Sequence, residues 1–172
     1  MPMKLSKRGA ELIKSFEGCH KASGGGFKAY LCPANVLTIG WGHTNGSGRA
    51  FDKNSVWTQA ECDAAFDEDM ASYEGPVNRM VQVPLKQHQF DALVSFAYNC
   101  GVQALRGSTL LKKVNARNFD GAALEFHKWV RGGGKVLPGL VRRRAAESML
   151  FQDIPDRNHD GKPDMPQAAA IR

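Results

Sequence analysis

The 172-residue chain has no stretch approaching about 20 apolar residues, the length that a membrane-spanning helix needs. Its first 16 residues mix charged and apolar side chains. They contain neither an apolar run of about 7–15 residues nor a small-residue cleavage site. We therefore expect no membrane insertion and no secretory signal. The chain also shows no internal repeat.

Cysteine is sparse, and its four positions form no CxxC motif: Cys19, Cys32, Cys62 and Cys100. This spacing does not favour a zinc site. A disulfide framework is not excluded, but a chain of this length does not need one. Partly buried free thiols are the default expectation.

Acidic residues are outnumbered by basic ones, 17 to 23, so the net charge is +6 and the sequence pI about 9.3. This excess favours an anionic partner such as nucleic acid, a membrane surface or the bacterial envelope. A basic soluble protein without such a partner is the alternative. The hydrophobic content of 42% is ordinary for a globular protein of one domain or two small lobes.

Helix and strand signals divide the chain. Ser6 predicts the start of a helix that ends near Gly18, and β-prone residues between positions 30 and 48 predict a small antiparallel sheet. Thr58 and Glu61 form a capping box, which predicts a helix running to Tyr73. Further helices are predicted from Pro84 to Gly101 and over residues 108–115, 120–130 and 138–151. The segment 155–172 is predicted to be a polar tail.

Glu17 is a candidate general acid. It stands at the end of the first predicted helix, where the negative end of the helix dipole disfavours an ionised carboxylate. A carboxylic acid that stays protonated can donate a proton to a leaving group. A solvated helix-end glutamate is the alternative interpretation of the same position.

Cys32, Thr38 and His43 lie in the predicted strand region. Thr38 and Cys32 are six positions apart, so an extended chain places both on one face, where a hydroxyl and a thiol can hold a water molecule. Each also has a plainer explanation: Thr38 as a β-prone residue, Cys32 as a buried apolar side chain and His43 as a hydrogen-bonded structural histidine.

Four blocks of the sequence, taken in order, resemble the phage lysozyme or endolysin family (glycoside hydrolase family 24). The first holds Glu17-Gly18, Lys28-Ala29-Tyr30 and Thr38-Ile39-Gly40-Trp41-Gly42-His43-Thr44. The later ones are residues 89–101, residues 108–113, and Trp129 with residues 139–147. The resemblance covers about residues 6 to 151.

This resemblance implies an α+β, lysozyme-like fold, in which a small lobe with antiparallel β-hairpins and a larger helical lobe are joined by a long helix. The small lobe would span about residues 15–57, the helical lobe about 58–151 plus the N-terminal helix, and the whole catalytic domain 1–154. The long helix would be the one opened by Thr58. A glycan would bind in the cleft between the lobes.

The resemblance also implies an activity: hydrolysis of the β-1,4 bond between N-acetylmuramic acid and N-acetylglucosamine in peptidoglycan. Glu17 takes the general-acid position and Thr38 the water-positioning hydroxyl. Cys32 stands where the family usually has an aspartate. We expect Cys32 and Thr38 to orient water opposite the acid, which corresponds to an inverting reaction.

Three further residues are expected to bind substrate: His43, Tyr98 and Asn99. Tyr98 and Asn99 fall where the family lines its cleft with an aromatic ring and an amide; core packing and helix capping are their alternatives. The chain also departs from the family in a longer gap between Glu17 and Cys32, with residues 22–27 as the inserted part.

An endolysin is thus the expected function, with peptidoglycan as partner, no nucleic acid and a monomeric chain. It would accumulate in the host cytoplasm and need a phage holin to reach the wall in the periplasm. Three alternatives remain: a lytic transglycosylase, a non-catalytic wall-binding protein, and a cysteine hydrolase using Cys32 and His43.

One motif lies outside the resemblance. Residues 156–161 follow the DxNxDG start of an EF-hand-type loop, with candidate calcium ligands Asp156, Asn158, Asp160 and Asp164. Position 12 of such a loop is Gln167 rather than a bidentate glutamate. A polar turn without metal is therefore favoured over a structural calcium, and no other cofactor is expected.

Overall fold

The computed structural model describes residues 1–18, 20, 24–32, 34–46 and 48–164. The helices are α1 (Lys7–Phe16), α2 (Gln59–Met80), α3 (Gln87–Cys100), α4 (Val102–Gly107), α5 (Thr109–Asn115), α6 (Phe119–Glu125) and α7 (Pro138–Phe151), with a 3-10 turn at Phe126–Lys128. The strands are β1 (Phe27–Lys28), β2 (Tyr30–Leu31), β3 (Leu37–Ile39), β4 (His43–Thr44), β5 (Val56–Trp57), β6 (Arg131–Gly132) and β7 (Lys135–Val136).

The small antiparallel sheet has the strand order β2-β3-β4. Thr38 lies at its centre, opposite Tyr30 on one side and Thr44 on the other. Strands β1 and β5 pair separately as a second antiparallel ribbon. Beneath them a compact apolar cluster forms from Ile39, Phe51, Trp57, Cys62 and Ala65. The predicted antiparallel sheet is confirmed, and its register places Thr38 on the middle strand.

Helix α2 spans both hydrophobic clusters that the described residues form. The predicted capping box is present: the Thr58 hydroxyl accepts a hydrogen bond from the Glu61 amide, and the Glu61 carboxylate accepts one from the Thr58 amide. Cys62 and Ala65 pack in the small cluster, whereas Phe66 and Met70 pack in the larger one. At 22 residues, α2 is the long helix that joins the two parts.

The predicted end of α2 at Tyr73 is wrong, because the helix continues through Pro76 to Met80. A proline inside a helix removes one backbone hydrogen bond. Contacts with the N-terminal segment hold this part of the helix in place. Glu74 accepts hydrogen bonds from the Leu5 amide and Lys4 Nζ, and the Asn78 side chain exchanges two with the Met3 backbone. Tertiary contacts therefore override the local breaker.

Helix α3 is the centre of the larger core. Residues 89–97 of this helix are all buried, and α1, α2 and α7 pack around it. Its apolar side chains meet those of the later helices in one cluster that includes Phe90, Phe96, Leu110, Phe126 and Phe151. A helix that is buried on all sides needs neighbours on every face.

Other boundaries differ from the sequence predictions. Pro84 does not start a helix; α3 begins at Gln87, with the Lys86 amide donating to Gln89 Oε1. The pattern missed α4 and the β6–β7 hairpin, whose turn is the Gly133-Gly134 pair with positive φ angles. Helix α7 has the predicted bounds. Among the described residues, no helix is both long and apolar enough to cross a membrane.

Candidate active site

A cleft of about 630 Å³ opens between the small sheet and the helices α2 and α3. Five of the six predicted catalytic or substrate-binding residues line it: Glu17, Cys32, Thr38, Tyr98 and Asn99. Thr38 and Cys32 come from the sheet side, Glu17 from the end of α1, and the other two from the end of α3. The fold therefore collects polar groups from three separate parts of the chain.

Glu17 is the residue immediately after α1, where the backbone leaves the helical conformation. Its Oε1 accepts a hydrogen bond from Arg143 Nη1 at 2.8 Å, and its side chain is about 20% exposed. Arg143 is buried and also contacts Glu147 Oε1 through Nε at 3.2 Å. Burial alone would lower the pKa of Arg143, but Glu147 and Glu17 outweigh it and raise that pKa. One carboxylate oxygen of Glu17 is thus held by a permanent cation.

The second oxygen, Glu17 Oε2, faces the backbone of Gly42. A Cβ atom at Gly42 would lie 3.3 Å from this oxygen and closer still to Tyr98 Oη, and Gly42 has a φ of +95°. Glycine is therefore required here both by the backbone and by the space that Glu17 and Tyr98 occupy. The lack of a side chain at Gly42 leaves Oε2 open to the cleft.

Tyr98 contributes a fixed phenol. Its hydroxyl donates to the Trp41 carbonyl at 2.5 Å, and its ring packs edge-on against Tyr73 at 5.1 Å. Burial, and secondarily the charge of Glu17, raises the pKa of Tyr98, so the phenol keeps its proton. Tyr98 therefore lines the cleft as a neutral aromatic wall.

Cys32 and Thr38 are brought together by the β2–β3 turn. The backbone amide of Val36 has the largest effect on the Cys32 thiol and lowers its pKa; partial burial opposes this, and Ala34 and the Thr38 hydroxyl add to the lowering. Thr38 is buried, and its Oγ1 donates to the Val36 carbonyl at 3.0 Å. A thiol with hydrogen-bond donors around it forms the thiolate more readily than an ordinary cysteine does.

His43, predicted to bind substrate, does not line the cleft. It is 2% exposed, with Nε2 at 2.7 Å from the Arg49 carbonyl and Nδ1 at 2.8 Å from Asp69 Oδ2. A carbonyl only accepts hydrogen bonds, so Nε2 donates to it. The structure thus places His43 as a buried link between β4 and α2, the structural alternative that the sequence left open.

The calcium-type loop forms a compact turn against α7. Both Asp156 carboxylate oxygens accept backbone amides, from Asp160 and Gly161 at 3.1 Å each. Asn158 Nδ2 donates to Asp160 Oδ2, and Asp164 Oδ2 accepts the Arg157 amide. Within the described ranges, no three histidine, cysteine or acidic side chains are grouped to hold a metal ion. Gln167 lies outside the described residues, and both the favoured polar turn without metal and its alternative, a structural calcium site, stay predictions.

Sequence reasoning did not assign Arg143, Arg144 or Asp69 to the site. The run of three arginines at positions 142–144 indicates a basic segment, but the sequence does not tell which of the three are buried. The structure does so: Arg142 is exposed over the Phe16 ring, whereas Arg143 and Arg144 are buried and paired with Glu147. The inserted residues 22 and 23 lie outside the described part of the chain.

The family model for phage lysozyme matches residues 14–147. The chain belongs to the phage lysozyme family. An endolysin of Acyrthosiphon pisum secondary endosymbiont phage 1 is 40% identical over 154 residues, which cover 87% of this chain and 99% of that protein. An endolysin of Bacillus phage B103 is 42% identical over 151 residues, but the match spans only 54% of its length.

Solved structures show the same fold. The endolysin from Escherichia coli O157:H7 phage FAHEc1 aligns with a TM-score of 0.78 and 33% identity, covering 88% of this chain and 94% of that one. The muramidase domain of SpmX from Asticaccaulis excentricus aligns with a TM-score of 0.75 and 38% identity, covering 86% and 97%. The predicted α+β lysozyme-like fold and the predicted lysozyme-type endolysin are confirmed. None of these comparisons assigns roles to individual residues.

Proposed function

We propose that this phage lysozyme family member is an endolysin that hydrolyses the β-1,4 bond between N-acetylmuramic acid and N-acetylglucosamine. Peptidoglycan is the partner that the muramidase and endolysin relatives support. One observation carries the proposal. A single cleft contains the Glu17 carboxyl group, which Arg143 holds through one oxygen. The small sheet adds the Thr38 hydroxyl and the Cys32 thiol, which contact each other.

Glu17 is the general acid. Arg143 holds Oε1, so Oε2, the oxygen that faces the open space beside Gly42, is the one placed to give a proton. As the bond from the sugar C1 to the glycosidic oxygen breaks, Oε2 gives its proton to that oxygen. The departing sugar then leaves as a neutral alcohol, and Arg143 stabilises the carboxylate that remains.

Cys32 and Thr38 serve the attacking water. The Thr38 hydroxyl has one proton, which either the Val36 carbonyl or Cys32 Sγ accepts, so its lone pairs are left to accept a hydrogen bond from water. The Cys32 thiolate, favoured by the Val36 amide, accepts the proton that water loses as its oxygen bonds to C1. Water attacks from the face opposite the leaving group, so the product has the inverted anomeric configuration.

The alternatives differ in what they require of these groups. A lytic transglycosylase needs the acid but no bound water, so the Thr38 hydroxyl and the Cys32 thiol would have no role in its reaction. A cysteine hydrolase needs an imidazole beside Cys32, whereas His43 is buried and its ring nitrogens contact Arg49 and Asp69. A wall-binding protein needs no anchored acid at all. Hydrolysis uses the anchored acid, the hydroxyl and the thiol together.

The test combines product analysis with a matched pair of variants. Purified peptidoglycan is digested, reducing ends and anhydro-muramic ends are counted, and proton NMR follows the first anomer released. We expect reducing ends of the inverted anomer. Glu17→Gln should lose activity by at least about 100-fold, since general acid catalysis contributes that much or more.

The control for this test is Glu11→Gln. Glu11 is an exposed carboxylate on α1, and its Oε1 lies 3.8 Å from Lys7 Nζ. The control variant should digest walls at the unaltered rate. Anhydro ends would identify a transglycosylase. Full activity of Glu17→Gln would overturn the catalytic assignment.

The cellular setting is part of the same proposal. The endolysin would be made in the host cytoplasm, act as a monomer without nucleic acid, and reach the periplasm through a phage holin. Lysis of host cells only when a holin is expressed together with the chain would support this setting. Lysis without any holin would contradict it.

A further inference from the structure

Asn99 and Arg144 form a partly buried contact at the edge of the cleft. Arg144 is fully buried on α7, and its Nη2 donates to Asn99 Oδ1 at the end of α3. Its Nη1 contacts Cys100 Sγ at 2.9 Å, and its Nε lies 3.2 Å from Glu147 Oε2. The guanidinium also lies over the Phe96 ring at 5.3 Å. Contacts on every side therefore fix its position.

This contact decides which way the Asn99 amide points. A guanidinium has donors and no acceptor, so only the oxygen of the carboxamide can face Arg144. The NH₂ group is left as the other end of the amide. The Asn99 side chain is exposed, and in the described residues its Nδ2 donates to no protein group.

Asn99 also stands where two cavities meet. It lines the main cleft and a neighbouring cavity of about 390 Å³, whose walls include Cys100, Trp129, Arg131 and Leu140. An amide whose oxygen is already taken can offer this junction only hydrogen-bond donors. A substrate group bound here must therefore be an acceptor.

We propose that Arg144 is a positioning residue that makes Asn99 a donor-only contact, and that Asn99 Nδ2 binds the carbonyl oxygen of an N-acetyl group on the glycan. The inference rests on the proposed glycan-hydrolase function. An acetamido carbonyl is an acceptor, whereas the ammonium group of a de-N-acetylated sugar is a donor only. That ammonium would face the Asn99 NH₂ group close to the Arg144 charge. The cleft should therefore discriminate against glycan that lacks the acetyl group.

The substrate test uses one wall preparation in three states: fully N-acetylated, de-N-acetylated, and chemically re-acetylated. For the unaltered protein we expect kcat/KM to fall at least about 10-fold on the de-N-acetylated wall, mainly through KM, and to recover on re-acetylation. Equal KM values on all three states would overturn the proposal. Absence of reducing ends from every wall would instead contradict the proposed function itself.

Asn99→Asp is the decisive variant. It keeps the shape of the side chain and gives Arg144 an ion-pair partner, so the fold should be retained, but it replaces the NH₂ donor by an acceptor. KM should rise on acetylated wall, and the ratio of kcat/KM between acetylated and de-N-acetylated wall should fall to about one or below. A preserved ratio would overturn the proposal.

Arg144→Met tests the positioning role. Without the guanidinium the amide can rotate, so the preference for acetylated wall should weaken while Glu17-dependent cleavage persists. Arg142→Met is the matched control, because Arg142 is the exposed neighbour of Arg144, and it should keep the full preference. Since Arg144 is buried, Arg144→Met lowers stability as well. Asn99→Asp tests the same donor without altering the buried arginine.

Discussion

Arg143 Nη1 lies 2.8 Å from Glu17 Oε1, a contact between side chains 126 residues apart in sequence. Arg143 in turn contacts Glu147, whose Oε1 also accepts a hydrogen bond from Ser95 Oγ at 2.7 Å. The candidate acid is thereby tied to α7 and α3 through a chain of charged hydrogen bonds. Its orientation depends on the packing of the larger core.

Arg143→Met should damage both activity and stability. The substitution removes one of the two arginines that pair with the buried Glu147 carboxylate. We expect this loss to lower the free energy of unfolding by about 3–5 kcal/mol. Activity should fall about 10- to 100-fold, because Glu17 loses its anchor. Urea unfolding and wall digestion measure the two effects. Arg142→Met, at the exposed neighbour, should change neither by much; an equally stable and active Arg143→Met protein would refute the anchoring role.

Gly42→Ala should lower stability and wall digestion more than an alanine at another glycine with positive φ does. Gly48 has a φ of +111°, and a methyl group there would have nothing within 4 Å, so Gly48→Ala isolates the backbone cost, about 1–2 kcal/mol. At Gly42 the methyl group also meets Tyr98 Oη and Glu17 Oε2. We expect an additional loss of about 1–3 kcal/mol and a large drop in wall digestion. Similar melting curves and rates for the two variants would show that the cleft tolerates the methyl group.

Replacement of Cys32 tests how the attacking water is held. Cys32→Asp should retain activity because a carboxylate also accepts the proton from water. Cys32→Ser should keep water in place but lose the basic group, and Cys32→Ala should lose both. The expected order of kcat on peptidoglycan is therefore Asp, then Ser, then Ala, with Cys100→Ala as the thiol control. Equal rates for all three would make Cys32 a spacer.

Thiol reactivity should differ between Cys32 and Cys100 as a function of pH. The Val36 amide lowers the pKa of Cys32, whereas burial raises that of Cys100. Alkylation by iodoacetamide requires the thiolate, so Cys32 should reach half its maximal rate at a lower pH than Cys100. Variants retaining one cysteine each allow the two profiles to be measured. The reverse order would contradict the hydrogen bonds assigned to Cys32.

Glu125 should contribute to acid sensitivity. Hydrogen bonds from Lys113, and then from Lys128, lower its pKa below the ordinary value. A carboxylate with a lowered folded-state pKa stabilises the fold above its unfolded pKa of about 4.3, and this contribution is lost as the pH falls through the folded pKa. Glu125→Gln should therefore be less stable at pH 7, by about 1–2 kcal/mol, and lose less stability on acidification. Asp67→Asn, at an exposed carboxylate, should follow the unaltered curve; parallel curves for all three proteins would exclude this role.

Local patterns in the sequence were sufficient for several parts of the fold. Ser6, the Thr58–Glu61 capping box and Gly101 mark helix ends correctly, because capping depends on groups only a few residues apart. Pro76 misled the prediction for α2, since the hydrogen bonds that hold this segment come from residues 3–5. Likewise the short α4 and the β6–β7 hairpin carry little periodic signal and depend on their neighbours.

By itself, the sequence determined the lysozyme-like α+β fold, the family and the candidate residues Glu17, Cys32, Thr38, Tyr98 and Asn99, because their types and order are readable along the chain. Only the tertiary structure decided that His43 is a buried link, that Arg143 donates to Glu17 Oε1 and that Arg144 donates to Asn99 Oδ1. These contacts join residues 26 to 126 positions apart. The geometry of such a pair follows from how the helices and the sheet pack, which no local pattern specifies.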